Sequence, residues 1–412
     1  MKDKTLKIAV IGAGTRGNSL AMHIKSHSLA QVVAVAEPRS EPKELFTRNF
    51  DISPNAVFQT WQEMAESSVV FDAAVITTLD NAHTEPAVAF LKKGCHLLIE
   101  KPMADTEENC IKILNAQKKA DKIVAVCHTL RFKDGFMQVK QIISQGIIGK
   151  IITVNHSEEI GNLRFTHNYV RGKWGNTKSN TNLLLHKSCH DLDLIAWLIG
   201  SKCKKVSSFG RLSFFSSEMA PKHSADRCID KCSLETQCAY SAIKLYVQGD
   251  LDKWPANTIT RDHTAESNYE EIKEGPFGLC VWHSGKDVVD HQVVAMEFEC
   301  GATATFTMSG FTVKNRRALH VHGSLGELFL DDDSKEIIIT EFAGNTVKKI
   351  ILESSNTYHP EDEIIINNWL TAISKNDQGM VEVSSDEAYE KLKIVFAAEK
   401  SRSEGRTIEF RE

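Results

Sequence analysis

An apolar strand that runs directly into a glycine-rich turn sets the first constraint on the fold of this chain. Leu6–Ile11 is a near-continuous apolar run, and residues 12–17 read Gly-Ala-Gly-Thr-Arg-Gly, which is the spacing G-x-G-x-x-G. Gly12 permits a tight turn, Gly14 lets the backbone approach a pyrophosphate, and Gly17 allows the following helix to pack closely on the strand. Because the start of that helix offers unbonded N–H groups, the pattern predicts a site for the phosphates of a dinucleotide. A glycine-rich turn in an unrelated α/β domain is the alternative.

An acidic residue after the second apolar run bears on which dinucleotide is bound. The run ends at Ala36, and Glu37 follows it. A carboxylate there can bond both ribose hydroxyls of NAD, and it would repel the 2′-phosphate of NADP. Arg39 could accept that phosphate if it turned inward, although a solvated loop arginine is the simpler interpretation. We therefore expect NAD, with NADP as the alternative.

The first 130 residues alternate apolar strands with segments of helical spacing. This alternation predicts a parallel, doubly wound sheet. Asp105 and Glu108 suit a capping box at the start of one of the helices. The strands predicted here are Leu6–Ile11, Gln31–Ala36, Ala73–Thr77, His96–Ile99 and Ile123–Val126.

The pattern changes after about residue 130, where hairpin signals replace the alternation. Turns at Cys300-Gly301 and at Gly344-Asn345 each separate two strand-like runs, which predicts a mainly antiparallel sheet, open on one face. Residues 210–290 are rich in Cys, His and Trp and give no clear element. The predicted helices are Val139–Gly146, His190–Leu198 and 386–400, and the predicted strands are Lys150–Glu159, Val293–Glu299, Ala302–Met308, Glu336–Phe342 and Thr346–Leu352.

Composition and charge exclude several classes of protein. The chain has 412 residues, enough for two or three domains, and 42% of them are hydrophobic, as in ordinary globular proteins. A net charge of −5, from 49 basic and 54 acidic residues, argues against a nucleic-acid-binding protein. No apolar run approaches the roughly 18 residues of a membrane helix, and Met1–Lys4 leads into too short an apolar stretch for a signal peptide. Ten cysteines without such a signal predict a reducing, cytoplasmic location.

The tripeptide Glu100-Lys101-Pro102 follows the strand His96–Ile99. Together with the glycine-rich turn, in this order and spacing, it resembles the Gfo/Idh/MocA oxidoreductases. Further segments are similar to that family or to one branch of it. They are Cys-His-Thr-Leu-Arg-Phe at 127–132, Tyr-Val-Arg-Gly-Lys-Trp at 169–174, Lys-Ser-Cys-His-Asp at 187–191 and Asp-His-Gln at 290–292.

The resemblance implies an architecture and a cofactor site. An NAD(P)-binding Rossmann domain, here 1–128, would be joined to a domain with an open, mainly antiparallel sheet and helices on one face, here 129–412. The second domain would carry a cysteine-rich insertion at about 210–290, and the active site would lie between the domains. The residues expected at the cofactor are Gly12, Gly14, Thr15, Arg16, Gly17, Glu37, Arg39, Glu100 and Lys101.

Lys101 and His190 are the residues expected to handle the proton of a reacting hydroxyl. Lys101 follows a parallel strand, where α/β sheets bind ligands, and the bond to the proline after it can be cis. Many family members carry D-x-x-x-H in the second catalytic segment, and matching on His190 puts His186 in place of the aspartate. His190 is the expected general base, because imidazole titrates near neutral pH, and Asp193 would orient it. Lys187 is expected to bind substrate, while His186 either contacts substrate or is only a polar residue of the helix start.

Two residues of the polar connection are candidates for contact with a sugar. Trp174 offers an apolar face and Arg171 offers a fork for carboxylate or hydroxyl groups. A packed loop anchor is the alternative for both. His359 stands where relatives often carry a glycine-rich H-G-G-G-D segment, but those glycines are absent, so no role is carried over to it.

Three closely spaced cysteines form the remaining candidate site. Cys228, Cys232 and Cys238 fall within eleven residues. In a reducing compartment this density favours a metal over a disulfide, and zinc over an iron–sulfur cluster, which usually takes four cysteines. The spacing is not that of a standard zinc finger, and His223 or Cys280 could supply the fourth ligand. Three partly buried thiols without a metal are the alternative.

These features together predict an NAD(P)-dependent dehydrogenase that acts on a secondary hydroxyl of a sugar, a sugar derivative or a cyclitol. One alternative is a glycosidase that keeps NAD bound and uses transient oxidation to make a glycosidic bond eliminable. Another is a cofactor-sensing binding protein that has lost catalysis. The open face of the second sheet predicts a homo-oligomer.

Overall fold

A computed structural model describes residues 5–353 and 359–410 of the chain. The chain forms two compact units, and neither is continuous in sequence. Unit 1 comprises the described residues of 1–147, 185–201 and 350–397, and unit 2 comprises those of 148–184, 202–349 and 398–412. The expectation of no signal peptide rests partly on Met1–Lys4, which lie outside the described residues.

Unit 1 is built on a sheet of six parallel strands. The strands are β1 (Leu6–Ile11), β2 (Ala30–Ala36), β3 (Val57–Phe58), β4 (Ala73–Ile76), β5 (His96–Ile99) and β6 (Val124–Val126). They pair in the order β3-β2-β1-β4-β5-β6. Residues 8–11 of β1 and all of β4 are buried, as expected for parallel strands covered on both faces. The predicted doubly wound sheet is confirmed, and the two-residue β3 was too short to give a sequence pattern.

The helices follow the predicted periodicity with shifts at their ends. The helix predicted from Asp105 begins at Glu107, and its N-cap is Thr106, whose hydroxyl accepts the N–H of Asn109 at 3.2 Å. Asp105 instead accepts the side-chain amide of Asn109, so the predicted capping pair was one residue early. The α-helices of the chain are α1 (Thr15–Lys25), α2 (Ser40–Phe50), α3 (Trp61–Glu66), α4 (Thr84–Lys92), α5 (Glu107–Ala120), α6 (Asp134–Ser144), α7 (Asn162–Phe165), α8 (Leu183–His186), α9 (Cys189–Ile199), α10 (Ala242–Tyr246), α11 (Ala265–Glu274), α12 (Pro360–Lys375) and α13 (Ser385–Glu404).

Unit 1 recruits helices from the later part of the sequence. Helix α12 packs on α1, and α9 packs on the 3₁₀ turn Thr129–Phe132 that follows β6. The predicted domains, 1–128 and 129–412, are continuous stretches of the sequence. Each compact unit instead combines three separate stretches of the chain.

Unit 2 is built on a mixed sheet of nine strands. The strands are β7 (Ile151–Gly161), β8 (Cys203–Arg211), β9 (His291–Phe298), β10 (Thr303–Thr312), β11 (Arg316–Gly323), β12 (Gly326–Asp331), β13 (Glu336–Glu341), β14 (Thr346–Ile351) and β15 (Ile408–Glu409). Their order is β14-β13-β12-β11-β7-β10-β9-β8-β15. The pair β7–β10 is parallel, whereas β9–β10 and β11–β12 are antiparallel hairpins. The mainly antiparallel prediction is confirmed, and both predicted hairpin turns carry a glycine at positive φ, Gly301 at 86° and Gly344 at 78°.

The segment between β8 and β9 folds into short helices and turns. Its buried apolar cluster is small and consists of Ala242, Tyr246 and Ile272, with Cys228 among the residues packed against it. Within the described residues, no helix is both long enough and apolar enough to cross a membrane.

Candidate active site

The glycine-rich turn of unit 1 has two glycines that the fold itself requires. Gly12 has φ of 98°, and a Cβ atom there would lie 2.6 Å from the carbonyl oxygen of Thr77. A Cβ atom on Gly17 would lie 2.0 Å from the carbonyl oxygen of Gly12. The Thr77 hydroxyl, at the end of β4, donates to that same oxygen at 2.7 Å. Turn geometry and helix packing therefore account for Gly12 and Gly17 as predicted.

Gly14 is different, because the fold leaves room for a side chain there. The nearest atom that its Cβ would meet is Nη2 of Arg39, at 3.8 Å. Gly14 is the N-cap of α1, and its position provides no side-chain cap for the N–H groups of the first turn. Open space beside these N–H groups fits a pyrophosphate, which approaches the backbone most closely where no Cβ intervenes. Thr15 and Arg16 begin the helix at this point.

Glu37 and Arg39 form a bonded pair at the end of β2. Glu37 is buried, with its carboxylate accepting the N–H of Ala13 at 2.9 Å and the N–H of Arg39 at 3.0 Å. The guanidinium of Arg39 donates to both carboxylate oxygens, at 2.7 and 3.0 Å. Burial raises the pKa of Glu37, but the hydrogen bonds from Arg39 and Ala13 outweigh it and hold the pKa below its ordinary value. The Glu37 carboxylate beside the glycine-rich turn is therefore ionised at neutral pH and paired with the guanidinium of Arg39.

Arg16 connects the glycine-rich turn to two carboxylates. Its Nε donates to Glu100 at 2.6 Å, and its two terminal nitrogens donate to Asp362 at 2.7 and 2.8 Å. Asp362 lies in the first turn of α12, and the Ser19 hydroxyl also donates to it at 2.8 Å. Burial raises the pKa of Asp362, but the hydrogen bond and charge of Arg16 outweigh it and lower that pKa.

Lys101 extends from the end of β5 to the end of α8. Its backbone N–H donates to the neighbouring Glu100 carboxylate at 2.8 Å, and the Lys101–Pro102 peptide bond is cis. Its Nζ donates to the carbonyl oxygen of His186 at 2.6 Å. Lys101 is thus held at the carboxyl edge of the parallel sheet, beside the second predicted catalytic segment.

His186 is paired with a carboxylate that the sequence analysis did not single out. Its Nδ1 lies 2.7 Å from Oδ2 of Asp80, which follows β4, and both side chains are buried. Burial, reinforced by the charge of Lys101, lowers the pKa of His186 despite the attraction of Asp80. Burial raises the pKa of Asp80, but the charge and hydrogen bond of His186, together with the charges of Lys101 and His83, outweigh it and lower that pKa to about 2. At neutral pH the pair is a neutral imidazole on an ionised carboxylate.

His190 lies four residues beyond His186, in the first turn of α9, with its ring edge-on to that of His128 at a centroid distance of 5.6 Å. Asp193 does not hydrogen-bond to His190 as expected. Its two oxygens accept from Arg131 at 2.8 and 2.6 Å, and both of these side chains are buried. Asp193 therefore holds Arg131 in place, because a buried guanidinium needs a buried acid.

The sequence analysis assigned no role to several polar residues after β4 and β6 that contact the glycine-rich turn or the predicted site residues. Thr77 and Asp80 follow β4, and His128 and Arg131 follow β6. Their position at the carboxyl ends of parallel strands was a usable signal, because ligands bind at that edge of such sheets. Asp362 had no comparable signal, since it lies far along the chain on α12.

The remaining predicted residues lie in several environments. Lys187 is half-buried between α8 and α9, and Trp174 is half-buried with Lys173 Nζ 4.6 Å from its ring centre. Arg171 is 1% exposed and bonds to the carbonyl oxygens of Leu279 and Tyr240, at 2.8 and 2.6 Å. Burial of Arg171 favours the packed-anchor alternative over contact with substrate.

Comparisons with known proteins agree with this geometry. Residues 6–128 match the Gfo/Idh/MocA family description "Oxidoreductase family, NAD-binding Rossmann fold", and residues 140–410 match "Oxidoreductase family, C-terminal alpha/beta domain". The 2,7-anhydro-N-acetylneuraminate hydratase of Escherichia coli is 25% identical over 205 residues, which is 50% of this chain and 52% of that protein. The inositol 2-dehydrogenase of Klebsiella pneumoniae is 28% identical over 207 residues, which is 49% of this chain and 57% of that protein. The chain thus spans about half the length of these curated relatives.

Among solved structures, levoglucosan dehydrogenase in complex with NADH is similar over 99% of this chain and 100% of that chain. The TM-score is 0.72 and the sequence identity is 16%, so this likeness concerns the fold. The two family matches together extend over most of the sequence and coincide with the glycine-rich turn and the mixed sheet. This chain therefore belongs to the Gfo/Idh/MocA family of NAD(P)-binding oxidoreductases.

Proposed function

We propose that this protein is an NAD-dependent dehydrogenase that oxidises a secondary hydroxyl of a sugar, a sugar derivative or a cyclitol. The observation that carries the proposal is the contact of Lys101 Nζ with the backbone of His186, whose ring is bonded to Asp80. Asp80 follows β4 and Lys101 follows β5. Both therefore lie at the carboxyl edge of the parallel sheet, where the glycine-rich turn follows β1.

The residues of unit 1 divide the work of an alcohol oxidation. Bound NAD supplies the acceptor for the hydride that leaves the hydroxyl carbon. The hydroxyl oxygen must also lose a proton, and we assign that proton to the imidazole of His190. Lys101 donates a hydrogen bond to the same oxygen, and so helps to stabilise that oxygen while its proton moves to His190. In the direction of reduction, the same two groups return the proton to a carbonyl oxygen.

The pair formed by His186 and Asp80 takes the place of the aspartate expected at position 186. A neutral imidazole on an ionised carboxylate carries one negative charge, as a lone aspartate would. The positive charge of Lys101 helps to lower the pKa of His186 and that of Asp80. The single negative charge of the pair therefore offsets the positive charge of Lys101. His186 in this role is a positioning and substrate-binding residue, and Lys187 is a further substrate-binding residue.

The choice of NAD over NADP rests on Glu37. Its carboxylate is ionised and fixed beside the glycine-rich turn by the N–H of Ala13. A carboxylate at the end of the second strand bonds ribose hydroxyls and repels a 2′-phosphate. Arg39 is engaged with this carboxylate, which leaves NADP as the less favoured cofactor.

The names of relatives support the substrate class and suggest a second candidate reaction. The relatives include an inositol 2-dehydrogenase and a levoglucosan dehydrogenase, which favours a cyclic polyol or sugar. A relative named as a hydratase of an anhydro sugar favours a redox-neutral reaction, in which transient oxidation assists an elimination.

A panel of sugars and cyclitols, followed at the NADH absorbance, tests the proposal. A positive substrate then allows Lys101→Ala, His190→Ala and His186→Ala to be compared with the exposed-lysine control Lys118→Ala. Loss of a positioned acid–base group costs about 10²–10⁴-fold in rate, so the first two variants should lose most turnover while they bind NAD nearly as well as wild type. Their combined effect should be less than additive, since both serve one proton transfer. His186→Ala should be milder.

The same panel separates the alternatives. Product formation without free NADH, detected by mass spectrometry, would favour the redox-neutral reaction. NAD binding without product from any compound would favour a cofactor-sensing binding protein. Full turnover in His190→Ala would remove the assigned base.

We also propose several properties outside the redox step. Trp174 is a candidate sugar contact, and a zinc ion on Cys228, Cys232 and Cys238 would be structural. Phe209 and Val293 are exposed cross-strand neighbours on β8 and β9, which supports a homo-oligomer, to be checked by mass in solution. The ten cysteines are free thiols, which supports the cytoplasm as the compartment.

A further inference from the structure

Four cysteines of unit 2 line one small cavity. Cys228, Cys232 and Cys238 lie on one loop, and Cys280 comes from the segment that precedes β9. The cavity has a volume of about 20 Å³, which is room for one particle the size of a water molecule or an ion. The sequence pattern predicted three of these cysteines as a cluster and left the fourth ligand open. His223, the other candidate for the fourth ligand, is exposed and does not line the cavity.

Backbone pairing fixes the fourth cysteine beside the first. The N–H of Cys228 donates to the carbonyl oxygen of Gly278 at 3.0 Å, and the N–H of Cys280 donates to that of Asp226 at 2.8 Å. Arg227 and Leu279 form an antiparallel bridge between these two bonds. The meeting of the two segments is therefore a property of the main chain and does not depend on side-chain rotamers.

A buried cation faces the cavity without an acid to balance it. Arg171 is 1% exposed, and its Nη2 lies 3.6 Å from the sulfur of Cys228. Its Nη1 is buried with no hydrogen-bond partner, and within the described residues no carboxylate lies within ion-pair distance of it. Glu235 also lines the cavity, but its carboxylate accepts the Ser241 hydroxyl. Burying a charge is costly unless it is paired, so this guanidinium calls for an anionic group in the cavity.

Two of the sulfur atoms already accept backbone hydrogen bonds. The N–H of Ala242 donates to Cys228 at 3.3 Å, and the N–H of Tyr240 donates to Cys238 at 3.4 Å. A neutral thiol is a weak acceptor, whereas such bonds stabilise the thiolates of a metal site.

We propose that Cys228, Cys232, Cys238 and Cys280 bind one structural zinc ion, with Arg171 as its buried countercharge. Four thiolates around Zn²⁺ carry a net charge of −2, and Arg171 offsets part of it. Zinc prefers four sulfur or nitrogen ligands in a closed tetrahedral site of this kind. The ion would connect the loop that carries three of the cysteines to the segment before β9. It would add stability to a region whose buried apolar cluster is small. This inference is independent of the proposed redox activity.

The thiols must close on the ion when it binds. Within the described residues, the group whose ligand atoms all lie within 4.8 Å of one another is His320, His322 and Glu327, and it includes no cysteine. Rotation of a cysteine side chain between staggered rotamers moves its sulfur by about 3 Å, which is enough for such a closure. A cavity for a single ion favours zinc over an iron–sulfur cluster, which needs more space.

Metal content tests the proposal without any measurement of turnover. Protein purified under reducing conditions without chelator should contain about one zinc ion per chain by elemental analysis. Cys280→Ser should lose the metal, and Cys300→Ser, at an exposed cysteine in the β9–β10 turn, should keep it. Arg171→Gln should weaken zinc binding by about 10–100-fold at unchanged stoichiometry, whereas the exposed Arg164→Gln should not.

Wild-type protein provides a second readout if Cys280→Ser fails to fold. Removal of zinc by a chelator should make four further thiols reactive per ion released, and replacement by Co²⁺ should give the absorption bands of tetrahedral thiolate coordination. Metal-free protein, iron with acid-labile sulfide, or zinc retained in Cys280→Ser but lost in His223→Ala would each overturn the proposal.

Discussion

The Nδ1 atom of His186 lies 2.7 Å from Oδ2 of Asp80. This contact connects the last residue of α8 to the segment that follows β4. The side chains are 106 positions apart in sequence, and both are buried. With Nδ1 donating to the carboxylate, the neutral imidazole carries its basic lone pair on Nε2. The segment proposed to be catalytic is therefore connected to a carboxylate through the imidazole of His186.

Asp80→Asn should reduce turnover by at least about 10-fold and leave NAD affinity unchanged, because it removes the negative charge near Lys101 and loosens the orientation of His186. It should also lower the pKa of His186 further, since Asp80 is the group that raises it. Titration of the imidazole proton resonances of His186 measures this shift. Asp121→Asn is the matched control, because Asp121 is an exposed residue in a left-handed conformation that asparagine tolerates. Wild-type turnover in Asp80→Asn would contradict the role of the pair.

The same pair should make the fold sensitive to acid. The folded-state pKa of His186 lies below its ordinary 6.5, and that of Asp80 lies below its ordinary 3.8, at about 2. Both groups therefore contribute stability that is present above those ordinary values and is lost as the pH falls below them. Urea denaturation from pH 7 downwards should show a steeper loss for wild type than for His186→Gln. Equal slopes would show that the pair is not linked to folding.

The pairing of Glu37 with Arg39 predicts opposite changes in cofactor preference. Glu37→Gln should narrow the difference between NAD and NADP affinity, because it removes the repulsion of a 2′-phosphate. Arg39→Ala should widen that difference, because it removes the cation that partly neutralises Glu37. Titration of both cofactors into the three proteins decides the matter, and a wild-type preference for NADP would contradict the assignment.

The buried pair of Arg131 and Asp193 should matter to stability. Arg131→Ala leaves a buried carboxylate without its cation and should cost about 3–5 kcal/mol of unfolding free energy. Arg131→Met combined with Asp193→Leu should recover much of the loss, since no buried charge is then left unpaired and Glu387, the other partner of Arg131, is 36% exposed. Arg406→Ala, in an exposed pair with Glu404, should change the free energy by less than about 1 kcal/mol. Urea denaturation measures all three, and equal losses in the single and double variants would be contrary to this expectation.

Local patterns predicted much of the fold and part of the site. The strand before the glycine-rich turn was predicted at its observed bounds, Leu6–Ile11, because burial on both faces gives an unbroken apolar run. The positions of Glu37 and Lys101 followed for the same reason, since each comes directly after a recognisable strand. Cap positions were less certain, as Thr106 in α5 shows, because several adjacent polar residues can cap a helix.

Partners distant in sequence could not be predicted from these patterns. Asp80 and Asp362 carry no local motif, and their roles arise only when the chain brings them to His186 and Arg16. Arg171 is a different case, because its residue type suits a sugar contact and a packed anchor equally well. Its burial in the folded chain favours the packed anchor. Side-chain chemistry identifies candidates, and tertiary packing selects among them.

Arg16 and Asp362 provide a final prediction, in which stability and pH are linked. Arg16→Ala leaves Asp362, whose side chain is fully buried, with only the Ser19 hydroxyl, and should cost about 2 kcal/mol. The cost is below that of a fully buried pair because the Arg16 side chain is 34% exposed. In wild type the pKa of Asp362 is lowered, so its contribution is present above the ordinary value of 3.8 and lost as the pH falls. In Arg16→Ala, burial without a cation raises the pKa of Asp362. Acidification then protonates Asp362 and removes the cost of its buried, unpaired charge. The stability difference between the two proteins should therefore shrink as the pH is lowered from 7, and a difference that stays constant would show that Asp362 is not the group left unpaired.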